Sequence, residues 1–81
     1  MKIFQILKVE CYNGYKKGEK PLTFVFNNQQ YIIDEIVDRW YEGSIQAQRP
    51  ILTYFKVRTS EGNLFLLRYN PKFDTWAIQT E

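Results

Sequence analysis

Asp34, Glu35, Asp38 and Glu42 are the densest carboxylates in the chain, and a general acid and base need two of them converging in one pocket at a defined separation. On a strand these four diverge, and on a helix they line the solvated side, so neither conformation assembles an acid–base pair. Cys11 is the sole cysteine and there is no histidine. That removes intramolecular disulfides, thiolate zinc sites and every mechanism that needs an imidazole base. A lone cysteine in a β-rich run reads as a small buried hydrophobe. The expectation is a protein that is not an enzyme and carries no cofactor and no metal.

Binding chemistry is better represented. Lys56, Arg58 and Arg68, with Tyr54 beside them, offer cations for phosphates and a ring for base stacking. Lys16, Lys17 and Lys20 place three more cations on the polar loop "NGYKKGEKP", next to Tyr12 and Tyr15, where a backbone could be clamped. Each group also has a plain reading as ordinary solubilising charge; Glu19 interrupts the loop's positive run and Glu10 sits just before it. The net charge of +2 is too near neutral to mark a nucleic-acid or membrane binder unless the charges are segregated. Leu64 and Leu66 fall among the same cations and point to a face that is partly covered, by another strand or by a partner.

The elements that would hold these residues are short and alternating. A chain of 81 residues makes one domain, and its 17% aromatic content supplies large buried areas per side chain. The pattern predicts strands over Lys2 to Tyr12, Leu22 to Phe26, Tyr31 to Tyr41, Leu52 to Thr59, Asn63 to Tyr69 and Thr75 to Thr80, with Trp76 plugging the core. Polar loops at "NGYKKGEKP" and "EGSIQAQRP" separate them. No window approaches the roughly 18 apolar residues of a membrane span, and the N-terminus lacks a signal-peptide pattern. A cytoplasmic protein with no membrane partner is expected.

The hairpin "YFKVRTSEGNLFLLRY" can be argued in register. With Ser60 and Glu61 in a type I turn, Gly62 falls at the left-handed position, where the absence of Cβ is favoured, and Thr59 pairs with Asn63. Val57 then faces Phe65 and Phe55 faces Leu67, while Tyr54, Lys56, Arg58, Leu64, Leu66 and Arg68 share the other face.

The stretch "YIIDEIVDRWYEGS" is less decided. Asn28 would cap a helix and Gly43 would end it. Against that stand Ile32, Ile33, Ile36 and Val37, which are β-branched, and the strand from Leu22 to Phe26, which needs a partner. As a strand it forms a hairpin with Phe24 and Phe26 facing Tyr31 and Ile33, and a bulge near Asp34 or Glu35 lets Ile33 and Ile36 face one core. That reading places Trp40 in the core and Arg39 on the other side, with Asp34 and Asp38 on one face and Glu35 on the opposite one.

Residues "CYNGY" at Cys11 to Tyr15, Pro21, "DRWYEG" at Asp38 to Gly43, "YFKVR" at Tyr54 to Arg58, Gly62, "LLRY" at Leu66 to Tyr69, and Trp76 carry a resemblance over nearly the whole chain. It resembles a family of small uncharacterised prokaryotic domains, found alone and at the C-terminal end of some Y-family DNA polymerase homologues. The resemblance implies strand, turn, strand from Phe24 to Trp40, with "NNQQ" where such domains often have a glycine turn. It implies no activity, and its tie to DNA is one of association.

The fold expected is therefore all-β, an antiparallel sheet of five or six strands bent into a small SH3-like barrel, because short strands cannot bury so many aromatics while flat. The function expected is non-catalytic binding, with single-stranded nucleic acid or a DNA-handling assembly meeting the basic hairpin face. The alternative is a protein–protein or self-association module that uses a strand edge or the Leu64 and Leu66 face. The oligomeric state is not legible.

Overall fold

The computed structural model describes residues 3–11, 20–43 and 51–80. Six strands form: β1 (Phe4–Cys11), β2 (Pro21–Phe26), β3 (Gln29–Glu42), β4 (Leu52–Thr59), β5 (Leu64–Asn70) and β6 (Thr75–Gln79). Each pairs antiparallel with the next, and β6 pairs with β1, so the sheet closes into a barrel. Both polar loops, apart from Lys20 and Pro21 in the first and Glu42 and Gly43 in the second, fall outside the described residues. The β3 segment is extended, which settles the helix-or-strand alternative: β-branched density and a waiting partner strand outweigh good local caps.

Closure relies on two strands that change partner midway. Phe4 to Leu7 of β1 pair with β6 and Lys8 to Cys11 pair with β2. Gln29 to Ile32 of β3 pair with β2 and Ile33 to Glu42 pair with β4. Strands shared in this way act as the corners of a barrel whose sheet would otherwise remain open.

Inside lie Phe24, Phe55, Val57, Leu67, Tyr69, Trp76 and Ile78, with Leu7, Val9, Cys11, Phe26, Tyr31, Ile33, Ile36 and Phe65 packed around them. Trp76 sits against Phe55 and Tyr69, at ring-centroid distances of 5.4 and 4.8 Å. Phe24, Tyr31 and Phe65 form a second ring cluster, with centroids 5.0–5.4 Å apart. Tyr69 is buried, and its hydroxyl donates to Asp74 Oδ1 at 2.7 Å. Burial, then that hydrogen bond and the carboxylate's charge, push its pKa up to about 12.

Both hairpins take their turns from backbone chemistry. In β4–β5 the Gly62 amide donates to the Thr59 carbonyl, the Thr59 amide donates to Asn63, and Gly62 has φ of 89°. Val57 pairs with Phe65 and Phe55 with Leu67, as the pattern predicts. In β2–β3, Asn27 and Asn28 have φ of 53° and 63°, the two-residue type I′ loop that matches strand twist. Gln29 and Gln30 are already on β3, opposite Phe26 and Val25.

Candidate functional site

Strand β3 meets β4 through two irregularities. One, at Asp34, is the expected bulge and turns both Ile33 and Ile36 inward, opposite Thr59 and Val57. A second, at Val37, shifts the register again, so Arg39 pairs with Phe55 and Trp40 with Tyr54. Each extra residue reverses the parity of everything after it.

This corrects four expectations. Trp40 is not core: it lies on the outer face, 36% exposed, stacked on Tyr54 with centroids 5.5 Å apart and planes 3° from parallel. Arg39 takes the inward parity, its guanidinium 5.8 Å from the Phe55 ring centre, yet its side chain is exposed. The carboxylates are also differently placed. Glu35 pairs with Arg58 and Asp38 with Lys56 across the strands, so both share the outer face with Trp40. Tyr54, expected as an open stacking ring, is 9% exposed because Trp40 lies over it and Phe4 meets it edge-on at 6.1 Å. Of the three rings Phe4, Tyr54 and Trp40, Trp40 is the most exposed.

The expected cations do converge. Lys56, Arg58 and Arg68 share the outer face, in register with Leu66, Leu64 and Tyr54 respectively. Arg58 forms an ion pair with Glu35. Lys56 lies across from Asp38, whose Oδ1 accepts the Arg39 amide at 2.8 Å. Arg68 lays its guanidinium over the Phe4 ring at 4.0 Å. Strand parity puts Glu42 on this face too, opposite Leu52, so Glu35 and Asp38 face Arg58 and Lys56 while Arg68 rests on Phe4. Of the loop cations, Lys20 is exposed, and Lys16 and Lys17 lie outside the described residues.

A shallow groove of about 560 Å³ runs along this face between Trp40, Lys56, Leu64, Leu66 and Gln79. Leu64 is 57% exposed. The residues missed from sequence were therefore Trp40 and Phe4. A signal for Trp40 existed in the three-residue spacing Ile33, Ile36, Arg39, which marks one extra residue per step. Among the described residues no group of three His, Cys, Asp or Glu side chains could hold a metal ion. Among them, too, no helix is long and apolar enough to cross a membrane. No protein-family model, curated protein or solved structure matches the chain.

Proposed function

We propose that the protein is a non-catalytic binding module whose outer β3–β4–β5 face docks on another protein, with Trp40 as the central anchor. The observation that carries this reading is the pairing of charge on that face: Arg58 with Glu35, and Lys56 opposite Asp38. A phosphate backbone laid there would meet a carboxylate beside two of the three cations, which weakens the counterion-release term that drives nucleic-acid binding. A protein surface of mixed charge can satisfy both signs around an apolar centre, and Trp in such a centre is a frequent anchor. Each strand has two neighbours in the closed barrel, but Phe4 to Leu7 of β1 and Ile33 to Glu42 of β3 are paired along one edge only; the side-chain face is favoured over those edges because it carries Trp40 and the paired charges. The resemblance to domains attached to Y-family polymerases supports, by association alone, a DNA-handling assembly as the setting of that partner.

A second reading keeps single-stranded nucleic acid as the ligand, favoured by Lys56, Arg58 and Arg68 lying on the same face as an exposed Trp40. The two readings separate in one experiment. Immobilised wild-type protein and a Trp40→Ala variant are exposed to native lysate, with and without nuclease, beside a low-salt titration of a labelled oligonucleotide. The protein-docking reading expects a partner that survives nuclease and is lost with Trp40→Ala. Capture that nuclease abolishes, together with oligonucleotide binding whose salt slope is up to about 2 and vanishes on changing Lys56, Arg58 and Arg68 to Gln, would overturn it.

A further inference from the structure

On the outer side of β1, β5 and β6 a second groove, of about 370 Å³, lies between Ile6, Leu52, Arg68, Phe73 and Ala77. Ile6 pairs with Ala77 and Ala77 with Arg68, so the small side chain at the middle of this row leaves a trough between two larger ones. Its rim is apolar and exposed: Phe73 at 67% and Ile6 at 66% are the two most exposed large hydrophobic side chains among the described residues.

Phe73 is held out by a pinned turn. The Lys72 amide donates to Asn70 Oδ1 at 3.0 Å, the Thr75 hydroxyl donates to the Phe73 carbonyl at 3.0 Å, and Asp74, at φ of 51°, accepts the buried Tyr69 hydroxyl. A turn fixed at three points presents its aromatic ring without the ordering cost that a loose loop incurs on binding.

The charge at this groove has one sign. Arg68 lines it and Lys72 stands at its rim, 5.6 Å from the Phe73 ring centre. Neither is ion-paired with a carboxylate among the described residues, and no carboxylate lines the groove. Arg68 lines the groove and its guanidinium is held over the Phe4 ring, which lowers the ordering cost of a contact with an occupant.

We propose that this groove binds a peptide segment of a partner protein in which an acidic residue stands next to an aliphatic or aromatic one. The apolar side chain fills the trough over Ala77 between Ile6 and Phe73, and the carboxylate meets Arg68. The inference rests on the general reading of a protein-binding module but uses a groove that shares no lining residue with the Trp40 groove, Arg68 standing between the two on the outer face.

The test is selection of a random heptapeptide display library on the wild-type protein, with counter-selection on Phe73→Ser, a change at an exposed side chain that leaves the core intact. Expected are peptides carrying Asp or Glu beside Leu, Ile, Val or Phe, and their synthetic forms should shift the amide signals of Ile6, Leu52, Thr75 and Ala77. Replacing the acidic residue by its amide should weaken binding about tenfold, an effect that Arg68→Gln removes. Trp40→Ala should leave this binding unchanged, so failure here and failure at the other face are told apart. Absence of enrichment over Phe73→Ser, a consensus without an acidic residue, or shifts confined to the Trp40 groove would overturn the proposal.

Discussion

Strand β4 meets its two neighbours in different ways. Toward β5 the pairing is regular from Thr53 to Arg58, one residue against one, so alternate side chains go in and out without exception. Toward β3 the pairing slips twice, at Asp34 and at Val37, and three-residue steps replace two-residue ones. The regular ladder places the buried row Phe55 and Val57 against Leu67 and Phe65. The slipped ladder places Trp40, Glu35 and Asp38 on the outside, where they meet Tyr54, Arg58 and Lys56. One side of β4 thus builds the core, and the other builds the surface on which the proposed function rests.

The largest effect that sharpens this contrast is on the inward row. Phe55 is fully buried against Trp76, and Phe55→Ala is expected to cost about 3–5 kcal/mol in chemical denaturation. Its outward neighbour Lys56→Ala should stay within about 0.5 kcal/mol. Comparable losses at the two positions would break the in-and-out assignment of β4.

Next in size is the tyrosine at the end of the buried row. Tyr69→Phe removes the hydrogen bond to Asp74 and is expected to cost about 1 kcal/mol at neutral pH. The pKa of Tyr69 is raised from 10.0 to about 12, so folding favours its neutral form. The stability this confers is fully present below pH 10 and is lost as pH climbs through 12. Denaturation midpoints measured across that window should fall less steeply for Tyr69→Phe than for wild type; parallel curves would remove Tyr69 as the source.

Gly62 tests the regular hairpin's turn. An added Cβ meets nothing within 4 Å, so Gly62→Ala suffers only the left-handed backbone penalty of roughly 1 kcal/mol, and Gly62→Asn should recover part of it. Equal midpoints for all three proteins would show that the turn is not confined to that conformation. The smallest effect belongs to the slipped ladder's surface pair. Glu35→Gln should change stability by less than about 1 kcal/mol, because Arg58 and Glu35 are both about half exposed. Its larger consequence should be functional: removing a carboxylate from the outer face makes that face net positive, and any oligonucleotide affinity should rise.

The contrast also explains what could be read from the chain. The β4–β5 register followed from one glycine and strict alternation, since a turn with a required left-handed residue leaves a single pairing that keeps Phe55, Val57, Phe65 and Leu67 together. In β3 the first bulge was legible because Ile33 and Ile36 cannot both face inward on a regular strand. The second was not, because its only mark was that Arg39 continued the same spacing. Hydrophobicity argued for Trp40 as the inward residue instead. A bulge is set by tertiary fit, here the need of one long strand to leave β2 and follow β4 around a barrel, and a single charged residue is a weak record of that demand. The cations of the candidate site were legible as a cluster, but their neutralisation was not, because it depends on the parity of β3.

The outward turn of Trp40 at Val37 is the point from which the charge balance and the proposed docking surface both follow. Side-chain NOEs from the Trp40 indole test it most directly. The account predicts cross-peaks to the Tyr54 ring, stacked 5.5 Å away, and none to the buried Leu67 or Ile78. Cross-peaks from Trp40 to those core side chains, with none to Tyr54, would contradict it.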